Sequence, residues 1–69
     1  MEPLIKQPSG TLIRLGKDIE VASPRGFGKL HKGETLEIYS QTSEYTEFNY
    51  HDQIVSVNGS KFTDYTVVG

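Results

Sequence analysis

The chain has 69 residues, with seven Lys plus Arg, nine Asp plus Glu, no Cys and a formal charge of −2. Its length holds one domain, and the lack of cysteine excludes disulfides and thiolate metal centres as supports for a small core. Leu, Ile, Val and Phe make up 18 of the 69 residues, enough to fold, while the acidic balance argues against a general nucleic-acid binder.

The chain opens "MEPLIKQPSG", where Pro3 and Pro8 predict an extended N-terminal arm over residues 1–9. A single small β domain is expected to occupy 10–69. No run is apolar and long enough for a signal peptide or a membrane span, so a cytoplasmic protein without a membrane partner is expected. After the arm, nothing sustains a helical apolar stripe. Short runs rich in β-branched and aromatic residues instead predict strands at 11–15, 18–22, 34–40, 44–50, 53–57 and 61–68. The fold class expected is all-β: a small antiparallel meander of five to six short strands curled into a barrel or tight sandwich. Its size would be that of an SH3-like or OB-like domain.

Local patterns fix the expected faces. "Lys32-Gly33" marks a turn, with Leu30 buried before it. In "ETLEIYS", period-two alternation sends Leu36, Ile38 and Ser40 inward, and Thr35, Glu37 and Tyr39 outward. Two segments, Ser43–Phe48 and Ser60–Tyr65, repeat the order Ser, charged, aromatic, Thr, acid, aromatic. Aromatics three apart fall on opposite faces of a strand, so inward Phe48 and Phe62 imply outward Tyr45 and Tyr65. Asn58-Gly59 is the strongest hairpin signal and predicts a type I′ turn. That turn would set Val57 opposite Ser60, Val55 opposite Phe62 and Gln53 opposite Asp64.

Catalytic chemistry finds no footing. There is no cysteine and no G-x-S-x-G, and His31 and His51 stand too far apart in sequence for a chelating pair. Asp52 and Asp64 would face one another only through the hairpin just described. No enzyme, catalytic residue, metal or cofactor is expected.

Two binding surfaces are expected instead. Residues 33–52 contain no Lys or Arg, and their Glu37, Glu44 and Glu47 would stand beside the outward Tyr39, Tyr45 and, from the last strand, Tyr65. Tyrosine anchors in a negative field suit a protein partner with a basic surface, the work of an adaptor or inhibitor. Small acidic regulators encoded by phages and mobile elements supply the analogy.

The other surface is "SPRGFGKLHKGE", read as a loop in which Arg25, Phe27, Lys29, His31 and Lys32 grip an anion or a single-stranded nucleic acid. Arg25-Gly26-Phe27-Gly28 resembles the first four positions of the RNP1 motif of RNA-recognition domains. Lys29 and Lys32 stand where that motif has aromatics, and the helices of that architecture are missing, so membership does not follow. A third expectation is a structural subunit, with strand edges pairing between copies as a homo-oligomer.

Overall fold

The structure is a computed structural model describing residues 2–69; Met1 lies outside the described residues. Apolar–polar alternation builds seven strands: β1 (Leu12–Leu15), β2 (Ile19–Ser23), β3 (Gly26–Leu30), β4 (Thr35–Gln41), β5 (Tyr45–Tyr50), β6 (Gln53–Asn58) and β7 (Tyr65–Val67). All neighbours are antiparallel, in the order β3-β2-β6-β5-β4-β1-β7. Among the described residues no helix is long and apolar enough to cross a membrane.

Inward residues of all seven strands meet in one cluster, with Phe48, Ile13, Leu36 and Ile38 at its centre. A flat sheet of this width would leave one whole face bare, so a single cluster requires strong curling. The fold is all-β and antiparallel as expected, but the sheet is not closed into a barrel. The sheet stays open, with β3 and β7 as its two edges. Glycines explain one edge: parity with buried Leu30 turns positions 26 and 28 inward, where they offer no side chain to pack. A Cβ built at Gly28 would meet only Val21 Cγ2, at 4.0 Å.

The meander is also corrected. Only β2–β3, β4–β5 and β5–β6 are successive hairpins; β1 pairs with β4 and β7, not with β2. Lys32-Gly33 does turn the chain, with Gly33 at φ +90 and Leu30 buried.

Residues 2–9, the described part of the arm expected as extended over 1–9, dock on the sheet. A single 3-10 turn, Leu4–Lys6, sinks Leu4 fully into the core. Leu4 N donates to Phe62 O at 2.7 Å, and Ile5 N to Gly59 O at 3.1 Å. The apolar side chain of Leu4 thus caps one open end of the curled sheet, and its burial outweighs the freedom of a loose terminus.

The expected Asn58-Gly59 hairpin is absent. Gly59 has no positive φ, and β6 and β7 do not pair. Asn58 Oδ1 instead accepts from Ser60 N at 3.0 Å, a local Asx turn that sends the chain across the core. Phe62 is buried as expected, though from a non-strand segment. The type I′ conformation occurs at His51 (φ 48) and Asp52 (φ 64), closing the β5–β6 hairpin between Tyr50 and Gln53.

Gly59 is required for a different reason: an added Cβ would strike Thr46 Oγ1 and lie 3.3 Å from Ile5 N. Gly59→Ala is therefore expected to cost about 1–3 kcal/mol of stability, measured by chemical denaturation. Asp52→Gly relieves left-handed strain and should add roughly 1 kcal/mol in the same assay.

Candidate partner-binding face

The outward face is organised by a β-bulge. β4 pairs Ile38 with Phe48 and then Ser40 with Glu47, leaving Tyr39 as the extra residue. A bulge inserts one residue opposite a single partner and re-aims the side chains that follow. Tyr39 and Ser40 both lie opposite Glu47, and Ser40 Oγ donates to Glu47 Oε1 at 2.7 Å. Ser40, expected inward, is turned outward by this step, while Gln41 takes the inward place.

Beyond Glu47 the register carries the face across the sheet. Glu47 pairs with Ser56, Ser56 with Ala22, and Ala22 with Phe27. At about 4.8 Å per strand, four strand steps, roughly 19 Å along the curled sheet, lead from Ser40 to Phe27. Tyr45 shares this face two residues before Glu47, opposite Asn58. Tyr39 is 57% exposed and Tyr45 48% exposed, and Glu37 and Glu44 are exposed beside them. Five expected site residues, Glu37, Tyr39, Glu44, Tyr45 and Glu47, thus come together on β4, β5 and the turn between them.

Tyr65 does not join them. It is only 3% exposed, because residues 62–64 leave the strand and reset the alternation. Its ring centroid lies 6.1 Å from that of Phe62. Its hydroxyl donates to Glu2 O at 2.7 Å and accepts from Gln7 Nε2 at 3.0 Å, which makes burial affordable.

The basic stretch is also corrected. It is an edge strand rather than a loop. Ser23 pairs with Gly26 around Pro24-Arg25, and Phe27, 88% exposed, projects from β3 on the same outward face. Lys29 stands opposite Glu20. Arg25 lies in the hairpin turn, and His31 and Lys32 belong to the next turn, so the five residues do not converge on one grip.

Sequence reasoning missed a shallow hollow of about 300 Å³ between the two halves of this face. Ala22, Ser23, Pro24, Glu47, Ile54 and Ser56 line it. The signal was a pair of small residues on adjacent strands, legible only once the β2–β6 pairing is known.

The turn after β3 is braced by carboxylates. His31 N donates to Glu34 Oε2 and Tyr50 OH to Glu34 Oε1, both at 2.6 Å. These two hydrogen bonds, the backbone one foremost, hold the Glu34 carboxyl below its ordinary value. The same bond to Glu34 pushes the Tyr50 phenol up. Asp18 is likewise lowered, chiefly by the Lys32 N–H at 2.8 Å, with His31 Nδ1 at 3.9 Å. These acids hold backbone in place. Among the described residues no group of three or more His, Cys, Asp or Glu is arranged to hold a metal.

Comparison with known protein families, curated proteins and solved structures finds no match for this chain.

The brace predicts opposite pH limits. Glu34, lowered in the fold, contributes stability above its ordinary value and loses it as pH falls below. Tyr50, raised in the fold, contributes below its ordinary value and loses it as pH rises past it. Tyr50→Phe should therefore lower the melting temperature near neutrality by a few degrees and flatten its fall toward about pH 3 and about pH 11.

Proposed function

We propose that this protein is a non-enzymatic binding module, an adaptor or inhibitor that engages a basic protein surface through Glu37, Tyr39, Glu44, Tyr45 and Glu47. The observation that carries this reading is the outward grouping of two half-exposed tyrosines, Tyr39 on β4 and Tyr45 on β5, with Glu47 on the same face. Tyrosine rings supply apolar contact with a polar tip at low entropic cost, the character of interface anchors. The carboxylates add a field that accelerates encounter with a cationic partner and excludes an acidic one. The hollow beside Glu47 gives the partner's surface a concave place to seat, walled by a carboxylate and by apolar carbon.

A second reading rests on Phe27. An aromatic ring so exposed, with Arg25 and Lys29 on the same hairpin, offers a stacking platform and phosphate contacts for a single-stranded nucleic acid. The acidic Glu47 on the same face works against it, since a strand tracking across the sheet would meet that carboxylate.

Affinity purification from the native host identifies the partner. Tyr39→Ala with Tyr45→Ala should then weaken binding by about 30-fold or more, measured by titration calorimetry. Glu44→Lys with Glu47→Lys should chiefly slow association. Unchanged affinity in the tyrosine double variant would remove the proposal. For the second reading, oligonucleotide anisotropy should give a salt slope near −2, from three phosphate contacts at about 0.7 each. Absence of binding at tens of micromolar in about 50 mM salt eliminates it.

A further inference from the structure

The sheet stops at β3, and strand alternation identifies which backbone groups are left free there. Tyr50 and Gln53 close their hairpin as a hydrogen-bonded pair, so Gln53, Val55 and Val57 address β5, while Ile54 and Ser56 address β2. Ala22, bridged to Ser56, therefore addresses β6. Val21 and Ser23 then address β3, across Gly28 and Gly26. This leaves the N–H and C=O of Phe27 and Lys29 directed away from the sheet. Both ends of this free edge are stopped. Pro24-Arg25 turn the chain on one side, and on the other the next outward amide, His31 N, is taken by Glu34 Oε2 at 2.6 Å.

We propose that β3 of a second copy of this chain completes the edge, antiparallel, about a two-fold axis at Gly28. Phe27 then stands opposite Lys29 of the second copy, and Lys29 opposite its Phe27. Both are hydrogen-bonded pairs, so all four free groups of each strand are used. A shift by two residues in either direction loses a pair to the Arg25 turn or to the engaged His31 amide. It would also set Lys29 against Lys29, or ring against ring. Charge selects the same register: each ammonium meets a ring face across the seam, with Glu20 on its other side. Gly28 meets Gly28 at the closest approach, where no Cβ intrudes. The bare Phe27 ring, 88% exposed in the single chain, gains a neighbour.

The seam covers roughly a few hundred Å² per copy, less than the ~800 Å² of a standard stable interface. Association is therefore weak and concentration-dependent. It joins two acidic tyrosine faces into one continuous sheet, so the assembled form presents the proposed binding face twice.

Sedimentation equilibrium between about 10 μM and about 1 mM, with amide hydrogen exchange by NMR, tests this. The weight-average mass should rise toward two chains, and the Phe27 and Lys29 amides should gain protection with concentration. Lys29→Pro removes one outward N–H of each copy and no β2–β3 hydrogen bond, so it should keep the wild-type circular dichroism and stay monomeric. Phe27→Lys, which places like charges opposite in both pairs, should weaken association about tenfold. A one-chain mass at about 1 mM overturns the proposal. So does a dimer that Lys29→Pro leaves intact, or mass gain without protection at these two amides. Should Lys29→Pro fail to fold, Phe27→Lys and the wild-type exchange data decide.

Discussion

The Gln41 side chain is the point on which both faces of the sheet depend. The bulge at Tyr39 shifts the phase of β4 by one residue and turns Gln41 inward. Its Nε2 donates to Leu4 O at 2.9 Å and to Gln7 O at 2.8 Å, and its Oε1 accepts from Thr46 Oγ1 at 2.6 Å. A half-buried amide is costly unless its groups find partners, and here they do. The same amide ties the N-terminal turn to the sheet, which keeps Leu4 in the core. Thr46, fully buried, then accepts only a glycine beside it at position 59.

One inserted residue thus links core closure to surface display. Without the bulge, Tyr39 would still point outward, but Ser40 would face the core and could not bind Glu47. The Ser40–Glu47 hydrogen bond fixes the carboxylate on the face that carries Tyr39 and Tyr45. Tyr39, Ser40, Tyr45 and Glu47 are held by strand pairing, which makes this part of the face rigid.

The edges follow a different logic. A chain this short cannot cover every strand, and two glycines at the inward positions of β3 leave that strand lightly packed. The fold limits the exposed edge with a proline turn at one end and a carboxylate-capped amide at the other, so few backbone groups stay open. Asp18 and Glu34, which in another setting would be candidate acid–base groups, are engaged as backbone acceptors in this brace.

The sequence by itself determined the strand content, because alternation and β-branched composition act locally. Six of the seven strands, the inward set Leu36, Ile38, Phe48 and Phe62, and the outward Tyr39 and Tyr45 were all legible. Strand order was not, since nothing local says that β1 seeks β4 and β7 rather than β2. Tertiary contacts decided the rest. Gly59 N donates to Glu44 O at 2.9 Å and Gly59 O accepts from Ile5 N at 3.1 Å in place of the expected turn, and the partners of the Tyr65 hydroxyl, Glu2 O and Gln7 Nε2, hold that ring inside. The basic stretch became an edge strand because Ala22 and Val21 offered it a ladder. Local pattern sets what each segment can be; which backbone and side-chain groups lie within reach after collapse decides where it goes.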